Sequence, residues 1–227
     1  MITPFGWNRS LSFTFTWLGI GMSATATRTE PVRLADGRAL RMTIAEPPAV
    51  VRGGLVVLHE ERDTESVRTL TDALAAEGWL VVAPHLDVSS ALADIDIAFG
   101  FLAQHGIGAD MIGVVGFELG GAVAMVVAAR RDIGAVVSVS GGGVLEQRAP
   151  GLPTMVEVAG ELRCPWLGLY GDQHAEEAER LRWAAARSVT ATDVVLFPAA
   201  DHRFDLHPDT AFEAWQRTLN WFDAHLR

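Results

Sequence analysis

From residue 55 onward the chain alternates short apolar runs with stretches of helical period, and this alternation restricts the fold more than any other feature. Residues 55–59, 79–83, 111–117, 135–139, 165–170 and 194–197 are apolar without a polar face, as strands covered on both sides are. Between them, residues 64–77, 89–105, 120–129, 175–187 and 209–226 read as helices. In 64–77 the core positions are Val67, Leu70 and Leu74, with Gly78 at the stop. In 209–226 they are Phe212, Trp215, Leu219 and Phe222. Ahead of these, residues 32–34 and 39–44 flank an Asp36-Gly37 step and predict an antiparallel hairpin. The pattern predicts an α/β fold with a mostly parallel central sheet and helices on both faces. Residues 151–163 predict an irregular surface loop.

Length fits one domain, 26–227, because a chain of 227 residues buries a large core unaided. Residues 1–25 are set apart as an N-terminal extension. Their semi-apolar stretch 11–22 follows one Arg and precedes Ala24-Thr25-Ala26, so it resembles a signal peptide. The alternative is an upstream start, with the protein beginning at Met22. The expected location is cytoplasmic, or secreted if residues 1–26 are a signal peptide.

Composition narrows the partners. With 18 Lys and Arg against 28 Asp and Glu the net charge is −10, and no basic run occurs. Nucleic acid and anionic membrane are therefore not expected partners; a small-molecule ligand or substrate is. The single cysteine, Cys164, allows no internal disulfide and reads as a buried, inert thiol. Trp166, Trp183, Trp215 and Trp221 are expected on core faces, and His105, His207 and His225 on the surface.

In a parallel sheet, sites form beyond the carboxyl ends of the strands. There the sequence places His59, Glu60 and Glu61, then His85, Glu118, Ser140, Asp172 with His174, and finally His202. One segment stands out. Gly116-Phe117-Glu118-Leu119-Gly120-Gly121 lies between an apolar strand and a small-residue helix, the layout of a nucleophile elbow with Glu118 at its apex. Backbone N–H groups of the following helix stabilise negative charge at such a spot.

From about residue 55 to 226 the chain resembles the dienelactone hydrolase family of α/β-hydrolases. The resemblance rests on Val57-Leu58-His59-Glu60, on residues 74–84 with Gly78-Trp79 and Pro84, and on the elbow. It continues in residues 164–171, in Ala200 to Phe204 around His202, and in Trp215 to Phe222. It implies the α/β-hydrolase fold and a triad whose nucleophile is Cys, a position held here by Glu118. The triad acid is implied three residues after Gly171, where His174 stands; Asp172 is two positions early. His202 keeps the triad histidine and Glu60 the family's resting-state glutamate. Of the two arginines that hold the lactone carboxylate in the family, one has no counterpart and the other falls on Leu206, leaving Arg203 as the nearest substitute. His59, Glu61, Leu119 and Arg203 are expected to contact the ligand.

Chemistry leaves three readings of this set. A carboxylate is already ionised at neutral pH, needs no base, and attacks acyl groups poorly. One reading is therefore a degenerate triad that has lost thiol-type hydrolysis and keeps its pocket for a small molecule. A second is an active hydrolase of esters, lactones or halides, with Glu118 as nucleophile or water-positioning group and His202 as base. The third is a divalent metal held by Glu60, Glu118, His174 and His202; no local spacing supports it, so no metal and no cofactor is assigned.

Overall fold

The apolar runs form strands because a fully covered sheet removes their side chains from water while their backbone groups pair with each other. The computed structural model describes residues 26–33, 37, 39–59, 65–86, 90–198 and 207–227. In chain order the elements are β1 (Ala26–Arg33), β2 (Ala39–Glu46), β3 (Gly53–Leu58), α1 (Glu65–Ala76), β4 (Trp79–Pro84) and α2 (Ala91–Gln104). There follow β5 (Ile112–Phe117), α3 (Leu119–Arg130), β6 (Ala135–Val139), α4 (Met155–Val158), β7 (Trp166–Gly171), α5 (Ala175–Ala185), β8 (Thr192–Phe197) and α6 (Pro208–His225). One eight-stranded sheet runs in the order β1-β2-β4-β3-β5-β6-β7-β8. β2 pairs antiparallel with β1 and β4; every pair from β4 through β8 is parallel. This is the α/β architecture expected of the alternating pattern.

Two cores result. On one face, Val67, Leu70 and Leu74 of α1 and Ala214, Trp215 and Phe222 of α6 pack on Leu55, Val57, Val81 and Val115. On the other, Ile95, Ala98 and Leu102 of α2, nearly all of α3, and Leu181 and Ala185 of α5 pack on Val56, Leu58, Val82 and Val114. Helix α3 is buried from Gly120 to Ala129, so it carries no polar face and only short or branched apolar side chains plus Met125.

Several details differ from the expectations. β1 extends back to Ala26 through Thr-Arg-Thr-Glu, since an edge strand does not need the apolar pattern of an inner one. Residues 151–163 are not wholly irregular: they contain α4 and a one-turn 3-10 helix, Ala159–Glu161. The cause is a capping box in which the Glu157 carboxylate accepts from the Thr154 N–H at 2.7 Å and hydroxyl at 2.9 Å. Those two bonds hold the Glu157 carboxyl below its ordinary range. Trp183 is 72% exposed, because the buried stripe of α5 is Ala178, Leu181, Ala184 and Ala185 and residue 183 points off it. Phe212 is 63% exposed, because the buried stripe of α6 begins only at Ala214.

β8 ends the sheet, and at Val194, in the middle of the strand, the outward backbone groups are occupied by side chains. The N–H of Val194 donates to Asp193 Oδ1 at 2.8 Å, and its carbonyl accepts from Arg182 at 2.7 Å. An edge capped by charged side chains is a poor template for another strand. Replacing both Arg182 and Asp193 with Ala is expected to shift the protein toward larger species as its concentration rises, compared with the unaltered chain. Arg217→Ala, which removes only the 2.7 Å helix-surface pair with Glu213, should leave the profile unchanged. Size-exclusion chromatography with light scattering reads the difference.

Candidate functional site

β5 stops at Phe117 and α3 starts at Leu119, so Glu118 alone must reverse the chain. It does so with φ 50° and ψ −113°, a conformation that costs a non-glycine residue about 1–3 kcal/mol. The turn is tied from both sides. The Glu118 N–H donates to the Val139 carbonyl at 3.0 Å, and the Glu118 carbonyl accepts from Gly121 at 3.0 Å and Gly142 at 3.1 Å. Two glycines make the approach possible. A Cβ at residue 116 would sit 2.1 Å from the Gly120 oxygen, and one at residue 120 would sit 2.2 Å from the Leu58 oxygen. The elbow inferred from glycine spacing is thus a strained turn at the carboxyl edge of the sheet.

Beneath it, the Trp166 indole N–H donates to Ser138 Oγ at 3.0 Å, and the Ser138 hydroxyl donates to the Gly121 carbonyl at 2.8 Å. This buried pair of bonds ties the first turn of α3 to β6 and β7. Ser140, directly after β6, also has a positive φ, 49°. A serine carries no local signal for such strain, although the three glycines that follow it, Gly141 to Gly143, mark a sharp bend.

The expected site residues distribute as follows. Glu118 is half-buried, and among the described residues its carboxylate makes no hydrogen bond or ion pair. Leu119 opens α3 and packs half-buried on the α2–α3–α5 core. His59 follows β3, the strand paired with β5, and its ring lies 5.8 Å from the Phe117 ring. With Ser66, Leu70 and Phe117 it lines a narrow cleft. Asp172 and His174 follow β7, two strands from the elbow with β6 between. Asp172 is exposed, and His174 Nδ1 lies 3.4 Å from Glu177 Oε2. Glu60, Glu61, His202 and Arg203 lie outside the described residues. Among the described residues no group of three or more His, Cys, Asp or Glu is placed to hold a metal. None of the described helices is long and apolar enough to cross a membrane.

A family model, described as the dienelactone hydrolase family, matches residues 85–226. The chain belongs to this family. Among its relatives, a Yersinia pestis protein named "Putative carboxymethylenebutenolidase" is 27% identical over 196 residues, covering 71% of this chain and 73% of that protein. An Escherichia coli K12 protein of the same name is 28% identical over 198 residues, covering 71% and 72%. The crystal structure titled "Putative Dienelactone Hydrolase" from Klebsiella pneumoniae aligns with a TM-score of 0.76 at 26% identity, over 87% of this chain and 99% of that one. A Pyrococcus furiosus esterase, at 14% identity and TM-score 0.71 over 89% and 92% of the two chains, shares the fold. The α/β-hydrolase fold implied by the motifs is therefore the fold observed.

Two titrating groups report on the interior rather than on the elbow. Burial, with the negative charge of Asp132 adding to it, pushes the Cys164 thiol from 9.0 up to about 12. Burial, and secondarily Glu177, raises the Tyr170 phenol as well; its hydroxyl lies 3.5 Å from Met155 Sδ. Cys164 should therefore resist thiol reagents at pH 8 in the folded protein and react once it unfolds. Because its folded value is raised, its contribution to stability is intact below pH 9 and is lost between about pH 9 and 12. Ser138→Ala leaves the Trp166 N–H and the Gly121 carbonyl without these bonds inside the core. It should lower stability by about 1–3 kcal/mol, read as a shift of the urea midpoint.

Proposed function

We propose that this member of the family has given up thiol-type hydrolysis and keeps the carboxyl-edge pocket to bind a small molecule. The observation that carries the reading is the apex of the elbow: the strained turn is intact, and it holds up a carboxylate. A carboxylate gains little by attacking an acyl carbon, because the anhydride it would form is more reactive than the ester and the carboxylate leaves again more readily than the alkoxide. The position where the family mounts its acid carries His174, whose near neighbour is the Glu177 carboxylate. An imidazole there cannot orient and neutralise a second imidazole as an acid does. The ring of His202 and the carboxylate of Glu60 are proposed to face the same pocket, with His59, Glu61, Leu119 and Arg203 around the ligand.

A second reading has its own support. Holding Glu118 in a strained backbone costs stability, and strain of this kind persists mainly where a site uses it. A carboxylate there can attack a tetrahedral carbon, such as that of an alkyl halide, releasing halide and forming an ester. Water activated by His202 then cleaves that ester and restores Glu118.

The test uses p-nitrophenyl acetate and a panel of haloalkanes. The expected result is turnover at the uncatalysed background for the unaltered protein on both, and a gain of esterase activity of about tenfold or more in Glu118→Cys. Turnover by the unaltered protein that disappears in Glu118→Gln or His202→Ala would overturn the first reading. If that turnover is confined to haloalkanes, the second reading stands in its place.

A further inference from the structure

The loop between β6 and α4 touches the elbow and brings an arginine to it. Val144 and Leu152 anchor the loop in the α2–α3–α5 core, and the Met155 N–H closes it by donating to the Gly143 carbonyl at 2.9 Å. Next along the chain, the Gly142 N–H donates to the Glu118 carbonyl at 3.1 Å. Arg148 lies along these two glycines. A Cβ at residue 143 would sit 2.7 Å from Arg148 Cγ, and one at residue 142 would sit 3.2 Å from Arg148 Nε. The stem therefore runs from Gly143 toward Gly142, and the guanidinium stands beside the residue that binds the elbow backbone. Arg148 is exposed, yet the space left by two absent side chains gives its stem a seat.

Charge makes this seat informative. Elsewhere on the surface, guanidinium groups meet carboxylates at two points. Arg131 donates to both oxygens of Asp96 at 2.7 Å, and Arg163 to those of Asp132 at 2.9 and 2.7 Å. Arg148 makes no hydrogen bond or ion pair among the described residues, and neither does the carboxylate of Glu118. Two opposite charges linked through Gly142 thus stay apart. The strained turn fixes the backbone of one, and the glycine seat holds the stem of the other.

A ligand with only a carboxylate gains the Arg148 fork and is repelled by Glu118; a ligand with only an amine meets the reverse. A molecule with both gains at both ends. The guanidinium offers parallel N–H groups to a carboxylate, and the Glu118 oxygens accept from an ammonium. We infer that the carboxyl-edge pocket takes a small zwitterion, its carboxylate held by Arg148 and its ammonium by Glu118, an inference that rests on reading this edge as a binding site.

Isothermal titration calorimetry of the full chain at neutral pH and low salt tests it. The probes are glycine, β-alanine, γ-aminobutyrate and ε-aminocaproate, each set against the carboxylate and the amine of the same carbon chain. The series varies the separation of the two charges. At least one amino acid is expected to bind about tenfold or more tightly than both of its matched partners. In Arg148→Gln it should bind no better than the amine, and in Glu118→Gln no better than the carboxylate. Arg148→Lys keeps the charge and loses the fork, so it should recover part of the preference. Arg187→Gln removes an equal charge past the end of α5, on the amino side of the sheet, and should change nothing. Equal binding of the three sets overturns the proposal, as does no binding by any of them. So does a preference that survives Arg148→Gln, or one that Arg187→Gln removes as well. The non-catalytic reading fails on other grounds, by ester or haloalkane turnover that Glu118→Gln abolishes.

Discussion

The contact that organises this protein is the meeting of bare backbone at the elbow. Gly120 lies so close to the Leu58 carbonyl, and Gly116 so close to Gly120, that no side chain fits at either glycine. That approach brings the start of α3 down onto the ends of β3 and β5. It leaves Glu118 to take up the whole reversal of the chain, and it explains why a non-glycine residue holds a positive φ there. The all-apolar α3 follows from the same constraint, since a helix drawn this far into the sheet has no side left for water. Ser138 and Trp166 then fix its first turn from below.

The strain of the Glu118 backbone and the carboxylate it carries have different origins. The strain belongs to the scaffold, and it lifts whatever side chain occupies the apex above the sheet edge. The identity of the side chain decides the chemistry. Family membership and fold are common to this chain and its relatives, whereas the Glu at the apex and the His after β7 are what the functional proposal turns on. A fold shared with an esterase at 14% identity therefore says where a site sits, not what the site does.

What the sequence made legible was local. The apolar runs became strands within one or two residues, the Asp-Gly step marked a hairpin, and glycine spacing located the elbow, because each depends on residues close along the chain. The capping box at Thr154 is equally local, though the stretch around it has the irregular pattern of a loop. The rest depended on assembly. Trp183 and Phe212 are exposed because helix length and sheet width, not helical period alone, decide where a buried stripe begins and ends. The seat of Arg148 on Gly142 and Gly143 needs the loop after β6 folded back on its own glycines, and no spacing along the chain encodes it. Of the candidate site, the elbow and its neighbour His59 could be placed in the fold, while His202, Glu60, Glu61 and Arg203 fall outside the described residues.

The inaccessibility of Cys164 has a practical corollary. With the one native sulfhydryl sealed in the core, the surface is silent toward maleimides and iodoacetamides. Any position converted to cysteine thereby becomes a single-site handle, so a fluorophore or spin label can be mounted on this scaffold without first removing a natural residue.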